Sequence, residues 1–473
     1  MFAGIPFAAP PIGTHRWQPP QPPEAWTGIR DATAFPFAPA QRGTALMGGG
    51  DGPAATFSAG EDCLYLNVWT PDLAGRLPVL VWIYGGGFDM GSASPPMTDG
   101  AALCRQTGAV VVAANYRVGA LGYLHLAGIG GSDWAHSSNL GLQDQAAALR
   151  WVHDNISAFG GNPANITVAG ESAGAFSIGA LLATPAAAGT FHRAILSSGS
   201  TERIFNPDTA AAIAGDLLAA LSLDSVDELG EVPIDRILDV QSTVVDTDIG
   251  RRNLTGGRSW GVVLDGTVLP RHPQQAVADG VAAHIGLLVG ANRDEMRMFQ
   301  AMQGDAYRPA DPHALLTEIR CAGVSSPEEL LAAYRQRNPH ADLAELRTQL
   351  LTDAVYRRPA SNLAAAQVSA GGRAHTYLFA AEPFGPTLGA FHGADLPLLF
   401  DALASVGADN ADMRDVRDVR DQLTEAWGRF AATGDPGWPQ YDLRAQPNTR
   451  QFGGSQDMVT EPAADSVTKA WAS

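Results

Sequence analysis

The sequence predicts an α/β fold, a central and mostly parallel sheet with helices on both faces, from three observations. Short apolar runs recur along the chain, an amphipathic stretch separates two of them, and a glycine-framed serine follows another. The runs at 64–68, 79–83, 110–113, 166–169, 194–196, 287–289 and 377–379 are rich in apolar and β-branched residues. Gly, Pro or polar residues bound them, as expected of strands buried in a sheet.

Between the third and fourth runs, Leu142, Ala146, Leu149, Val152 and Ile156 recur at three- and four-residue spacing and draw one apolar stripe on a helix. Strand, helix, strand in that order implies a right-handed crossover and parallel pairing. The first 40 residues are proline-rich and carry Trp17 and Trp26, which reads as an extended wrapping segment, with regular structure starting after it. Residues of about 201–285 and 300–370 are alanine- and leucine-rich with interspersed acids and arginines. They read as amphipathic helical insertions above the sheet, a cap that shapes the pocket of a single catalytic unit spanning 1–473.

A chain of 473 residues with 45% apolar and 17% charged side chains has ample material for a large core. Its net charge of -18 repels phosphate backbones and argues against nucleic-acid binding. Three scattered cysteines, Cys63, Cys104 and Cys321, fit neither a disulfide framework nor a metal cage. No apolar run reaches the length of a membrane span, and the first residues lack the basic-then-apolar pattern of a secretion signal. The expectation is a cytoplasmic or processed protein with no metal and no organic cofactor.

Gly170-Glu171-Ser172-Ala173-Gly174 matches G-x-S-x-G, in which a sharp strand-to-helix turn lifts a serine clear of the sheet and leaves room only for small neighbours. Gly257-Arg258-Ser259-Trp260-Gly261 matches too, but no strand precedes it. An apparent strand, Val262-Val263-Leu264, and an Asp265-Gly266 turn follow it, so Ser259 reads as a loop residue. Ser172 has a strand before it and a helix-forming run after it. As a nucleophile it needs a base and donors for a developing oxyanion. Gly85-Gly86-Gly87 follows a strand end, and the N–H groups of Gly86, Gly87 and Ala173 are the expected donors.

The base is expected downstream, in a loop at the ligand end of the sheet. Among His313, His340, His375 and His392, the last lies in such a loop, 390–395. For the acid that orients it, the run 287–295 ends in Asp294 and Glu295, which spacing alone leaves as equal candidates.

These motifs, with Phe2-Ala3-Gly4-Ile5-Pro6, Glu61-Asp62-Cys63-Leu64, Asn115-Tyr116-Arg117 and Phe159-Gly160-Gly161-Asn162-Pro163, resemble the signature segments of the type-B carboxylesterase and cholinesterase family. The resemblance implies an α/β-hydrolase fold and a serine carboxylesterase acting on small-molecule esters, of short to medium acyl chain, through an acyl-enzyme. It implies Ser172 as nucleophile, Glu295 over Asp294 as acid, His392 as base, and Gly86, Gly87 and Ala173 as the oxyanion hole. Glu171, Ser198 and Asp395 match a supporting polar network in relatives. Phe88, Met298, Phe299 and Phe391 are the expected pocket walls, with Met298 and Phe299 reading equally well as core residues. Alternatives within the resemblance are a specialised detoxifying esterase for a carbamate, diester or polyester toxin, a lipase, and a non-catalytic binding homologue.

The sequence also departs from the pattern. It begins at a segment that relatives reach after a β-hairpin, which reads as a truncated N-terminus or a start lying upstream, with room for a lost secretion signal. Cys63 lacks the preceding cysteine with which the family residue is bridged. Met296 stands where relatives usually have glycine. The reaction should fade as pH falls through the pKa of the imidazole, about 6.5 when unperturbed.

Overall fold

The computed structural model describes residues 1–42, 58–94, 98–406, 413–444 and 446–472. In chain order its strands are β1 (Phe2–Pro6), β2 (Ala38–Pro39), β3 (Ala59–Gly60), β4 (Tyr65–Trp69), β5 (Leu77–Ile83), β6 (Val110–Ala114), β7 (Gly161–Glu171), β8 (Arg193–Ser197), β9 (Gly286–Asn292), β10 (Arg373–Phe379), β11 (Thr449–Phe452) and β12 (Met458–Val459). β2 and β3 pair with each other. The other strands form one sheet in the order β1-β4-β6-β5-β7-β8-β9-β10-β11-β12. From β6 to β11 every neighbouring pair is parallel, and antiparallel pairs close both margins. The parallel centre follows from the apolar runs: Val79 to Ile83 and Val110 to Ala114 are buried throughout, which requires cover on both faces.

One layer of cover holds the helices Leu140–Asn155 and Ala173–Leu181; the other includes Gly100–Thr107 and Met413–Thr433, which pack on each other. Ala173–Leu181 is apolar on all sides because sheet and neighbouring helices enclose it. Trp82 on β5 packs edge-on against Phe400 and tilted against Trp427, fixing the helix of Trp427 to the sheet.

Two sequence expectations are corrected. Regular structure begins at Phe2, because β1 pairs antiparallel with β4 at the sheet margin, although the rest of the first 40 residues is largely irregular. The run Val262-Val263-Leu264 makes only an isolated bridge to Phe205. The Asn139 side chain takes both the N–H and the C=O of Val263, so no ladder extends there.

Between β8 and β9 lie the helices Pro207–Leu221, Ile234–Val240, Ile249–Arg252 and Pro273–Ala278. Between β9 and β10 lie Arg297–Gln303, Pro312–Cys321, Pro327–Arg337, Leu343–Thr352 and Arg358–Ser369. Their starts are written locally. Asn206, Asp311 and Asp342 cap the helices that follow them with side-chain oxygens, and proline occupies the first turn after Asn206 and Asp311. A π-helical turn, Asp353–Arg357, joins the last two helices of the second group. The helix Ser466–Ala472 contributes Val467 to a small separate core with Leu330, Tyr334 and Leu350. Trp471 donates to the Tyr334 hydroxyl (3.0 Å), and that hydroxyl donates to Asp353 (2.8 Å).

Cys63, Cys104 and Cys321 are free thiols. Among the described residues no helix is long and apolar enough to cross a membrane, and no group of His, Cys, Asp and Glu could hold a metal ion.

Candidate active site

β7 runs straight into the helix Ala173–Leu181, and Ser172 is the corner between them at φ 53°, ψ -123°. Such a backbone is unusual for a residue with a side chain and persists because the surroundings impose it. The flanking glycines explain how. A Cβ on Gly174 would stand 2.1 Å from the Ile83 carbonyl oxygen, and one on Gly170 would stand 2.8 Å from the same atom. The second serine, Ser259, lies outside any strand or helix, donates to the Trp260 carbonyl and accepts from Arg203.

His392 comes from the loop after β10, and its Nε2 lies 2.8 Å from the Ser172 Oγ. Its Nδ1 lies 2.6 Å from Glu295 Oε2, beyond the end of β9. The other Glu295 oxygen accepts the Asn292 amide (2.7 Å), while the Glu295 carbonyl accepts the His392 amide (3.1 Å). Asp294 is spent elsewhere, on Arg293 and the Ala390 amide. Ser172, His392 and Glu295 are buried, Glu295 completely.

The loop after β5 faces Ser172. A Cβ on Gly86, at φ +113°, would lie 2.3 Å from the Met90 carbonyl, so this turn admits glycine only. The Gly86 carbonyl accepts from Asp89 and Met90, which pins the loop. Ala173 opens its helix, so its N–H has no partner within the helix and the dipole's positive end lies beside Ser172.

Glu171 Oε1 sits 3.3 Å from His392 Nε2 and has no hydrogen-bond partner of its own. Burial pushes the Glu171 carboxyl up to about 8. For His392 burial acts downward, but the Glu171 and Glu295 carboxylates outweigh it and raise the imidazole to about 9. Asp395 accepts from the hydroxyl of Ser197 (2.7 Å) and from Asn292 (3.3 Å).

The expected supporting network is therefore corrected at one position. Ser197, the last residue of β8, bonds Asp395; Ser198 has left the strand at φ 51° and its buried hydroxyl makes no hydrogen bond. Asn292, which ties the Phe391 carbonyl to the carboxylates of Asp395 and Glu295, was not singled out from the sequence, although it stands at a strand end just before the acid pair.

A cavity of about 380 Å³ opens over Ser172 and His392 and is lined by Met298, Phe299, Phe391 and Tyr356. Phe88 is not a wall. Its φ of 68° turns the ring into the core, edge-on to Tyr123. Tyr356 packs 4.7 Å from the imidazole centre, and Arg203 and Arg252 enter from the segment after β8. Neither Tyr356 nor the two arginines carry a motif, so only the folded chain reveals them. Met296, fully buried beside the acid, adds to the core.

Known proteins resemble this chain over most of its length. The family model described as Carboxylesterase family matches residues 1–460. Para-nitrobenzyl esterase of Bacillus subtilis (strain 168) is 37% identical over 454 residues, 93% of this chain and 88% of that protein. Fumonisin B1 esterase of Sphingopyxis macrogoltabida is 35% identical over 492 residues, 98% of this chain and 85% of that one. The crystal structure of Geobacillus stearothermophilus carboxylesterase EST55 at pH 6.2 superposes with a TM-score of 0.87 at 35% identity, covering 99% of this chain and 95% of that chain. The chain belongs to the carboxylesterase family and is a carboxylic ester hydrolase of the α/β-hydrolase fold.

Proposed function

We propose that the chain hydrolyses small-molecule carboxylic esters through an acyl-enzyme on Ser172. Its Oγ attacks the ester carbonyl carbon while His392 Nε2 takes the hydroxyl proton. The tetrahedral oxyanion accepts hydrogen bonds from the amides of Gly86, Gly87 and Ala173. As the carbon–oxygen bond to the alcohol breaks, His392 returns the proton to the leaving oxygen. Water then adds to the acyl carbon, giving a proton to His392. The acid departs as Ser172 regains its hydrogen. Glu295 holds the Nδ1–H and stabilises the imidazolium throughout. The charge that develops is met by backbone amides and one carboxylate, so the chemistry needs neither metal nor organic cofactor.

The observation that carries this reading is the buried line Ser172 Oγ, His392 Nε2 and Nδ1, Glu295 Oε2, at 2.8 and 2.6 Å. A cavity of about 380 Å³ with Met298, Phe299 and Phe391 in its wall supports short to medium acyl chains. A fluorophosphonate probe followed by mass spectrometry should place its adduct on Ser172. Ser172→Ala should lower turnover of p-nitrophenyl esters by about 10⁴ or more. Near-normal turnover in that variant overturns the assignment, and a p-nitrophenyl series from acetate to laurate reads the chain-length preference. Similarity to fumonisin B1 esterase over 98% of the chain favours, as a second reading, an esterase specialised for a toxic ester.

A further inference from the structure

Arg203 lines the same cavity as Ser172 and His392, yet it has no ionic partner among the described residues. Among the described residues its one hydrogen bond runs from Nη2 to the Ser259 hydroxyl (3.2 Å), while its Nε is buried without an acceptor. No carboxylate of the described residues lies within 4 Å of it, and the nearby Asp89 is already bridged to Arg252. Two aromatic rings hold the guanidinium in place, with Phe88 and Phe176 centred 5.1 and 5.7 Å from its Cζ. Burial pulls Arg203 down to about 10, still charged at neutral pH.

A charge held partly out of water without an ionic partner is costly, and a planar fork of N–H donors matches a carboxylate in particular. The charge count in the cavity points the same way. Among the described residues that line the cavity, Asp89 and Arg252 cancel, Glu171 is held toward its neutral form and His392 is paired with Glu295, so Arg203 is left as a guanidinium without a carboxylate partner.

We propose that Arg203 is a specificity-determining residue that selects esters carrying a second, free carboxylate, such as half-esters of dicarboxylic acids. The proposal rests on the reading of Ser172 as the esterase nucleophile. The free carboxylate stays unreacted and takes the guanidinium N–H groups that the protein leaves open. The ester carbonyl lies at Ser172 in the same cavity.

Two substrate pairs test this and tell which end of the ester carries the charge. On the acyl side, p-nitrophenyl hydrogen adipate is compared with p-nitrophenyl hexanoate. On the alcohol side, 4-acetoxybenzoate is compared with its methyl ester. In Arg203→Met the ratio of kcat/KM for the anionic over the neutral ester should fall by about tenfold or more in one pair, carried by KM, and Arg203→Lys should recover part of it. Both ratios staying within about twofold of the wild type, in a variant that still labels on Ser172, overturns the proposal. In the unaltered protein, adipate should inhibit hexanoate hydrolysis and raise the melting temperature more than uncharged adipamide does. Equal effects of the two also overturn it. The thermal shift needs no turnover, so it separates loss of this proposal from loss of the esterase reading, which fails if the protein neither turns over hexanoate nor labels on Ser172.

Discussion

Replacing Glu171 by Gln should move the pH at which the enzyme switches on. The carboxylate oxygen lies 3.3 Å from His392 Nε2 in a buried site, and with Glu295 it raises the imidazole to about 9. A raised base is protonated, and so idle, below its pKa; activity is lost as pH falls through that value, well above the ordinary imidazole value of about 6.5. Two unit charges at that separation attract by about 5 kcal/mol at an effective dielectric constant of about 20, equivalent to about 3.5 pH units. Glu171 itself carries a proton up to about 8, so only part of this attraction acts while catalysis is starting. We expect the acid-side midpoint of kcat/KM to drop by about one to two pH units in Glu171→Gln. The assay is p-nitrophenyl butyrate hydrolysis between about pH 5 and 10, with buffer blanks subtracted. A midpoint within about 0.3 units of the wild type, or above it, would refute the electrostatic account of this pair.

Three further outcomes follow from geometry. Glu295→Gln should cut kcat by about 10⁴ because the His392 Nδ1–H loses its anionic partner, whereas Asp294→Asn should cost less than about tenfold; equal losses in steady-state kinetics would contradict the distinction drawn here. Gly86→Ala puts a Cβ 2.3 Å from the Met90 carbonyl at φ +113°, and turnover should fall by about 10² to 10³ while the fluorophosphonate still finds a folded protein. Asp144 accepts three hydrogen bonds from Arg117, both side chains nearly or wholly buried, so Asp144→Ala should destabilise by about 3–5 kcal/mol in urea melts.

Which parts of the site the sequence makes legible depends on whether the constraint is local. The elbow is legible because its glycines are demanded by atoms a few residues or one strand away, such as the Ile83 carbonyl against Gly174. The strands of the parallel centre are legible because burial on both faces leaves an uninterrupted apolar run. Asp294 and Glu295 are adjacent and chemically alike. What separates them is the long-range placement of Ala390 and His392 against β9, which no spacing encodes. Ser197 and Ser198 differ only in which one still belongs to β8, a boundary at the limit of what a pattern resolves. Phe88 is an expected wall, but its positive φ, invisible in sequence, turns it inward. Arg203, Arg252 and Tyr356 arise from insertions whose packing is decided by contacts with distant elements, so nothing in their own neighbourhood marks them.

The helix Ser466–Ala472 lies past residue 460, where the family match ends, yet it reaches toward the chemistry through a chain of contacts. Trp471 stacks under Arg358 and holds the Tyr334 hydroxyl, which anchors Asp353 at the head of the π-helical turn that carries Tyr356 against the imidazole. A helix outside the family match is thereby linked through contacts to one side of the substrate chamber. Substitutions in this helix offer a place to begin directed evolution of selectivity that leaves Ser172, His392 and Glu295 themselves unchanged.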